Sequence, residues 1–194
     1  MDQRPALHVG HAAVMTDSVA EATSDVDYKA FAGLIREYEE WLYQRYAEVP
    51  GLIDGVRSHQ ALDTELANLA AKYGPPEGKT LLARRDDHVT GGVAYRDLHD
   101  GSCEMKRLFV PDQFQGQGTG RLLCSALIGA ATDEGFRLMR LDTGFLNSEA
   151  MAMYESLGFE FCPAYQEYPA QLAVHLRFME RPLVNASTPP RATA

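Results

Sequence analysis

The stretch Cys103-Glu104-Met105-Lys106-Arg107-Leu108-Phe109-Val110-Pro111-Asp112-Gln113-Phe114-Gln115-Gly116-Gln117-Gly118-Thr119-Gly120-Arg121 decides how the rest of the chain is read. It begins as a strand, passes through a tight glycine-rich loop and ends in the first turn of a helix. Gly116, Gly118 and Gly120 let the backbone approach a ligand with no Cβ in the way. The helix starts at about Gly118 and sets Leu122, Leu123, Ala126, Leu127, Ala130 and Ala131 on one face. Free amides at a helix N-terminus, together with the positive end of its dipole, make a site for phosphate. The loop is therefore read as the holder of a cofactor's pyrophosphate, to which the rest of the chain brings a substrate.

Composition bounds that reading. The 194 residues suit one domain with a substantial core, plus tails. A net charge of −9 argues against a nucleic-acid binder, whose footprint would be basic. No apolar run reaches the ~18 residues of a membrane span, and the N-terminus lacks the basic and apolar segments of a signal peptide. Cys103, Cys124 and Cys162 are odd in number and far apart, so they fit no disulfide framework. A cytoplasmic protein with reduced thiols, no membrane and no nucleic-acid partner is the expectation. His8 and His11 have metal-like spacing but no further ligands nearby, so no metal is expected.

Outward from the stretch, the elements follow in order. Residues 1–16 show no clear period and read as a disordered extension, residues 17–181 as the domain, and residues 182–194 as a loose tail. A short strand over Val19–Thr23 precedes a helix from about Val26 to Ala47, capped by Ser24 or Asp25 and carrying Phe31, Leu34, Ile35, Tyr38, Trp41 and Leu42 at helical spacing. Pro50-Gly51 ends it. A second helix carries Leu62, Leu66, Leu69, Ala70 and Tyr73. Strands over Lys79–Arg85, Val89–Leu98 and Cys103–Val110 form an antiparallel meander joined by Asp86-Asp87-His88 and His99-Asp100-Gly101 turns. The loop and helix follow, then a strand over Arg137–Asp142, which calls for a right-handed crossover and a parallel pair. A helix over Ser148–Leu157, a short strand over Phe159–Cys162 and a final strand over Leu172–Glu180 complete the chain.

Three kinds of phosphate loop compete. A nucleoside-triphosphate loop needs Gly-Lys-Ser/Thr at its end, and Gly120 is followed here by Arg121 and Leu122. A dinucleotide fingerprint needs a third glycine, and that position is Arg121 or Leu123; Asp142 does stand where a ribose-binding acid would. The third kind is Gln-x-x-Gly-x-Gly, present as Gln115, Gly118 and Gly120. With the strand before it and the helix after it, this stretch resembles the acyl-CoA pyrophosphate loop of the GNAT superfamily of N-acyltransferases. A second block, Asn147-x-x-Ala150-x-x-x-Tyr154-x-x-x-Gly158-Phe159, is similar to that family's later motif. The resemblance covers roughly Val19 to Arg181, and the bacterial branch with Cys-Glu-Met-Lys-Arg-Leu before the loop looks nearest.

The resemblance implies an α/β fold: a mixed central sheet splayed open between two parallel strands, flanked by about four helices. It implies an N-acetyltransferase that passes an acetyl group from acetyl-CoA to the amine of a small molecule in a ternary complex. A peptide acceptor, or a non-catalytic acyl-CoA-binding module, are the alternatives. By the same resemblance Leu108, Phe109 and Val110 would pair with the pantetheine arm, and Gln115, Gly116, Gln117, Gly118, Thr119, Gly120 and Arg121 would hold the pyrophosphate. Asn147 would contact the cofactor arm or cap its helix. Glu104 would be the general base through water, or else a structural partner of Lys106, Arg107 or Arg140. Tyr154 would be the general acid, or else a packing residue, and an amide near Phe109 would hold the oxyanion. Tyr38 and Trp41 would contact the acceptor, or else belong to the core. Adjacent Lys106 and Arg107 in an apolar strand suggest a β-bulge, or else an exposed strand end. A homodimer through the final strand is compatible with all of this.

Overall fold

The computed structural model describes residues 17–183, so the expected extension and all but the start of the expected tail lie outside it. The strands are β1 (Ser18–Glu21), β2 (Gly78–Arg85), β3 (His88–Asp97), β4 (Ser102–Phe109), β5 (Leu138–Gly144), β6 (Glu160–Phe161) and β7 (Leu176–Pro182). They form one sheet in the order β1-β2-β3-β4-β5-β7-β6. Every neighbouring pair is antiparallel except β4 and β5, which are parallel. A crossover helix joins that pair, as a parallel connection requires.

Helices cover both faces, and the strands show it. β3 is buried continuously from Thr90 to Tyr95 rather than at alternate residues. On one face α1 (Asp25–Arg45), α3 (Leu62–Ala67) and α4 (Leu69–Tyr73) bury Phe31, Leu34, Ile35, Leu69 and Tyr73 against Leu82 and Ala94. On the other, α5 (Thr119–Asp133) and α6 (Ser148–Ser156) pack Leu123, Leu127, Ile128 and Tyr154 against Tyr95, Met105, Met139 and Leu141. Each fully buried Leu or Ile contributes ~1.5–3 kcal/mol. On α5 the inward face is Leu123, Cys124, Leu127, Ile128 and Ala131, and Leu122 is exposed, so the helix is turned by about one residue from the face expected. Ser24 closes the start of α1 in a capping box with Asp27.

Two regions depart from expectation. Seven helices stand among the described residues rather than about four. The single helix expected through Leu62 and Tyr73 is two, because Asn68 leaves helical geometry (φ −137°, ψ 35°) and its Nδ2 donates to the Thr64 carbonyl. Residues 52–59, which the sequence reading leaves between Pro50-Gly51 and the second helix with no element of their own, form α2 (Leu52–His59), which turns its apolar side to Tyr46 and Leu172. Leu172 opens no strand; it sits in α7 (Ala170–Ala173) against α2, its Cδ2 lying 2.8 Å from where a Cβ on Gly55 would stand. β7 starts four residues later, runs to Pro182, and is followed by buried Leu183, whose amide donates to the Arg137 carbonyl.

The central feature is an opening in the sheet. β4 and β5 pair only at Ser102↔Leu138, Cys103↔Met139 and Glu104↔Arg140, then part. On its other side β4 carries a bulge: β3 moves from Ala94 to Gly92 while β4 moves from Lys106 to Phe109. Arg107 absorbs the extra residue at φ 59°, a left-handed conformation that costs roughly 1–2 kcal/mol. Lys106 consequently points into the opening toward β5, while Arg107 reaches Glu65 on α3. No described helix is long and apolar enough to cross a membrane.

Candidate active site

Two cavities meet at the opening. The first is a groove of about 390 Å³ between the end of β4, the glycine loop and α6. Its lining includes Leu108, Phe109, Val110, Gln115, Gly116, Gly118, Thr119, Gly120, Arg121 and Asn147. Gly116 (φ 71°) and Gly118 (φ 88°) take left-handed backbone, and no heavy atom lies within 4 Å of where their Cβ atoms would be. Gly118 is the N-cap of α5, so the first amides of a four-turn helix face this space with no side chain capping them. From Met105 onward the β5-facing edge of β4 has no ladder partner. An extended ligand chain could pair there while an anionic group sits on the helix end, so the donor set fits the pantetheine and pyrophosphate of a CoA.

The loop's polar side chains brace it. Gln115 Nε2 donates to the Val110 carbonyl and to Asp112, each at 2.9 Å. Gln117 lies outside the groove lining; it accepts from Arg85 at 2.6 Å and donates to the Gln113 carbonyl at 3.1 Å. Thr119 donates to Asp17, and Arg121 donates to Ser156 at 2.6 Å. Asn147 occupies the N-cap position of α6 but makes no capping bond. Its amide instead bridges Tyr46 Oη (3.3 Å) and Thr143 Oγ1 (3.2 Å), which fixes it beside the groove. Trp41 lines the groove under the Arg45 guanidinium, 5.1 Å from its ring.

The second cavity, about 100 Å³, fills the opening itself. Leu42, Leu52, Ile53 and Val56 of α1 and α2 form one wall. Lys106, Arg107 and Asp142 stand on the other. Tyr38, Leu108, Thr143 and Tyr154 line both cavities, so the two spaces join at these side chains. Tyr38 stacks on Trp41 and packs on Phe109, and burial pushes its hydroxyl up to about 12. Tyr154 is buried against Phe159, and burial, then the neighbouring Cys124, Tyr38 and Asp142, raise its hydroxyl well above the ordinary value of 10. It is a proton-bearing group throughout the neutral range.

Glu104 lines neither cavity. It is fully buried and accepts from Arg96 (2.6 Å), Tyr165 (2.9 Å), Gln166 (3.1 Å) and Lys106 (3.4 Å). The carboxylate on the cavity wall is Asp142, which accepts from Lys106 at 2.6 Å and Tyr168 at 3.1 Å. Burial acts to raise Asp142, and the Lys106 ammonium outweighs it, holding the carboxyl below its ordinary value. Burial likewise acts to lower Lys106, and Asp142 and Glu104 outweigh it, so the ammonium persists. Lys106 thus bridges the expected base to a second acid that the sequence marked only as a rejected ribose ligand. Tyr165, Gln166 and Tyr168 come from residues 163–171, whose lack of period marks a loop able to shape the acceptor pocket but singles out none of the three residues. Among the described residues no group of His, Cys, Asp and Glu could hold a metal ion.

A second charged cluster supports Arg107. Glu65 accepts from Arg107 Nε at 2.6 Å and from Lys72, with its side chain 1% exposed. Burial acts to raise Glu65, but the hydrogen bonds and charges of Arg107 and Lys72 outweigh it and hold the carboxyl at about 2. Its folded-state pKa is depressed, so its contribution to stability is complete above about pH 4.5 and is lost as pH falls toward 2. Glu65→Gln leaves two cations without their counter-charge and is expected to cost about 3–5 kcal/mol in denaturant unfolding at pH 7. The gap between variant and parent should narrow between pH 4.5 and 2; a constant gap would show that charge is not the cause.

The acetyltransferase (GNAT) family profile matches residues 34–159 of this chain. An N-acetyltransferase of Schizosaccharomyces pombe (strain 972 / ATCC 24843), itself uncharacterized, is 40% identical over 121 residues, which cover 61% of this chain and 74% of that protein. Human N-acetyltransferase 8 is 30% identical over 105 residues, covering 51% of this chain and 46% of its own length, so the chain spans less than half of that relative. The PaiA N-acetyltransferase of Thermoplasma acidophilum, solved in complex with coenzyme A, superposes with a TM-score of 0.65 over 87% of this chain and 99% of that one, at 16% identity. The chain belongs to the GNAT family of acetyltransferases and is an acyltransferase.

Proposed function

We propose that the protein transfers an acetyl group from acetyl-CoA to the primary amine of a small molecule, by direct attack with both substrates bound. The observation that carries this reading is the junction of the two cavities at Tyr38, Leu108, Thr143 and Tyr154. The groove suits the donor, the glycine loop taking the pyrophosphate and the free edge of β4 the pantetheine arm. The inner cavity, walled by α1 and α2, suits a compact acceptor better than a peptide laid across a surface. When bound, the donor supplies an activated acyl carbon at that junction.

This chain's own residues then have three tasks. The bulged backbone near Phe109 offers an amide to the acyl oxygen, where negative charge grows. Asp142, on the cavity wall, accepts the proton that the amine loses as its new C–N bond forms. Glu104 acts from behind through Lys106, holding the ammonium that in turn positions Asp142. Tyr154 gives its hydroxyl proton to the departing thiolate as the C–S bond breaks. The products are the N-acetyl amide and the free CoA thiol.

Incubation with acetyl-CoA and a panel of small amines should release free thiol. A panel without turnover despite measured acetyl-CoA binding would remove the enzymatic reading. The pH profile is a sharper check. Asp142 is ionised at all neutral pH values and Tyr154 stays protonated past 10. The rise in kcat/KM should therefore track the acceptor's own ammonium ionisation and move with it from one amine to another, with no fall below about pH 10. His175 lines the same cavity, and a His175→Asn control separates any contribution from its imidazole. A rise fixed at one pH for all acceptors would instead assign the limb to the protein.

A further inference from the structure

The acceptor cavity has two unlike ends. Thr143 and Tyr154 join it to the donor groove, and Asp142 stands on its wall. Beneath α1 and α2 a side lobe of about 30 Å³ adjoins it, bounded chiefly by Ile35, Leu42, Ile53, Val56 and Leu62. Leu42, Ile53 and Val56 line both spaces, whereas Asp142, Thr143 and Tyr154 do not reach the lobe. A molecule lying along this axis meets polar groups at the junction and hydrocarbon at the far end.

The charges along the walls are already matched. Lys106 faces Asp142 at 2.6 Å and Glu104 at 3.4 Å. Arg107 is turned to Glu65 at 2.6 Å, and its Nη2 has no exposed surface. In the lobe, Glu39 and Arg57 pair with each other. Every carboxylate, ammonium and guanidinium on either wall therefore faces a counter-charge within the protein. Gln60, the remaining polar side chain shared by the two spaces besides Tyr38 and Arg107, gives its amide Nε2 to Tyr168 at 3.1 Å. His175 lines the cavity but not the lobe, and its ring packs on Phe145 at 5.4 Å. A second charge on the acceptor would be stripped of water against Leu42, Ile53 and Val56 with no partner to receive it, which costs far more than burying hydrocarbon there.

Resting on the acetyltransferase reading above, we propose that the acceptor is an aliphatic primary amine with an uncharged hydrocarbon tail, and that the tail enters the lobe beneath α1 and α2. Its amine end lies at the junction, beside Asp142 and Tyr154. The space sets the length. The cavity and lobe, about 100 and 30 Å³, are together smaller than an apolar cavity of about 150 Å³ that holds one benzene, so the tail has about four to six carbons.

The test uses the full chain with saturating acetyl-CoA and the straight-chain primary amines from ethylamine to octylamine. Their basicities are nearly equal, so differences in kcat/KM report the tail. Each methylene should raise kcat/KM about fourfold until the space is filled, at about five or six carbons, and longer tails should lose the gain. Pentylamine should exceed 4-aminobutan-1-ol, 1,4-diaminobutane and 4-aminobutanoate, which match it in length, by about tenfold or more. Val56 borders both spaces, so Val56→Phe should move the optimum to shorter tails and Val56→Ala to longer ones. The optimum is a comparison within one protein and is insensitive to the folded fraction; a thermal melt and acetyl-CoA titration establish that each variant is folded, and either variant alone decides. A flat series, an optimum unmoved in a folded variant, or turnover of the alcohol, diamine or acid equal to that of pentylamine would overturn the inference and leave the acetyltransferase reading in place. So would turnover confined to amines outside the series. Absence of thiol release with every amine of a wider panel, despite measured acetyl-CoA binding, would strike the acetyltransferase reading, and this inference with it.

Discussion

Tyr154→Phe is expected to lower kcat by about 100-fold or more while leaving acetyl-CoA affinity within about threefold. The ring is held by packing: it lies edge-on to Phe159 at 5.8 Å and is buried between α6 and the sheet. Phenylalanine preserves that packing, so the variant removes one hydroxyl and little else. The hydroxyl is the feature at issue, since Tyr154 lines both the donor groove and the acceptor cavity. With its pKa raised well above 10, it holds a proton at every pH where the enzyme would be assayed. A group acting only as the thiolate leaves contributes to the transition state and not to ground-state binding. Its loss should therefore depress kcat and kcat/KM alike. A rise in KM with kcat unchanged would make Tyr154 a binding residue. An unchanged kcat would reduce it to the packing role that its place among Met151 and Leu157 also allowed.

The order of elements, the parallel pair and the glycine loop were all legible because each depends on local chemistry. Gly118 needs a left-handed backbone at the start of a helix, and the chain says so by spending glycine there. Lys106 and Arg107 side by side in an apolar strand pointed to the bulge, since strict alternation cannot keep two neighbouring charges on one face. What stayed hidden depends on contacts between distant segments. The site's ion pairs join β4 to α3 through Arg107 and Glu65, and β4 to β5 through Lys106 and Asp142, at separations of 42 and 36 residues. No spacing rule reports those. Glu104 illustrates the limit: a lone acid beside a cofactor loop reads as a base, and only the fold shows the four donors on its oxygens and Asp142 on the cavity wall. α2 was missed because eight residues opened by Pro50-Gly51 carry little period of their own and are held by Tyr46 and Leu172.

Gly118→Val should raise the dissociation constant for acetyl-CoA by about 100-fold or more, at a modest cost in stability. The two effects separate because the groove is open at that point: a Cβ on Gly118 would meet no heavy atom of the protein within 4 Å. The valine Cβ therefore clashes with nothing in the free protein, and its backbone, φ 88°, costs roughly 1–2 kcal/mol. For a chain of this size that corresponds to a fall in Tm of about 2–8 °C. The isopropyl group would stand in the space that the first amides of α5 face, where the pyrophosphate is proposed to lie. Displacing an anion from two charge-assisted hydrogen bonds forfeits about 3–6 kcal/mol, which sets the expected fold-change at its lower end. Gly129→Ala is the matched control: it lies on the same helix with nothing within 4 Å of its Cβ position, at ordinary helical φ. Alanine there should bind acetyl-CoA like the parent and melt slightly higher, because alanine is the better helix former by about 1 kcal/mol. Calorimetric titration of both variants decides the matter. If Gly118→Val is folded and binds acetyl-CoA within threefold of the parent, the amides of α5 do not hold the pyrophosphate, and the donor must reach the Tyr154 junction by another route.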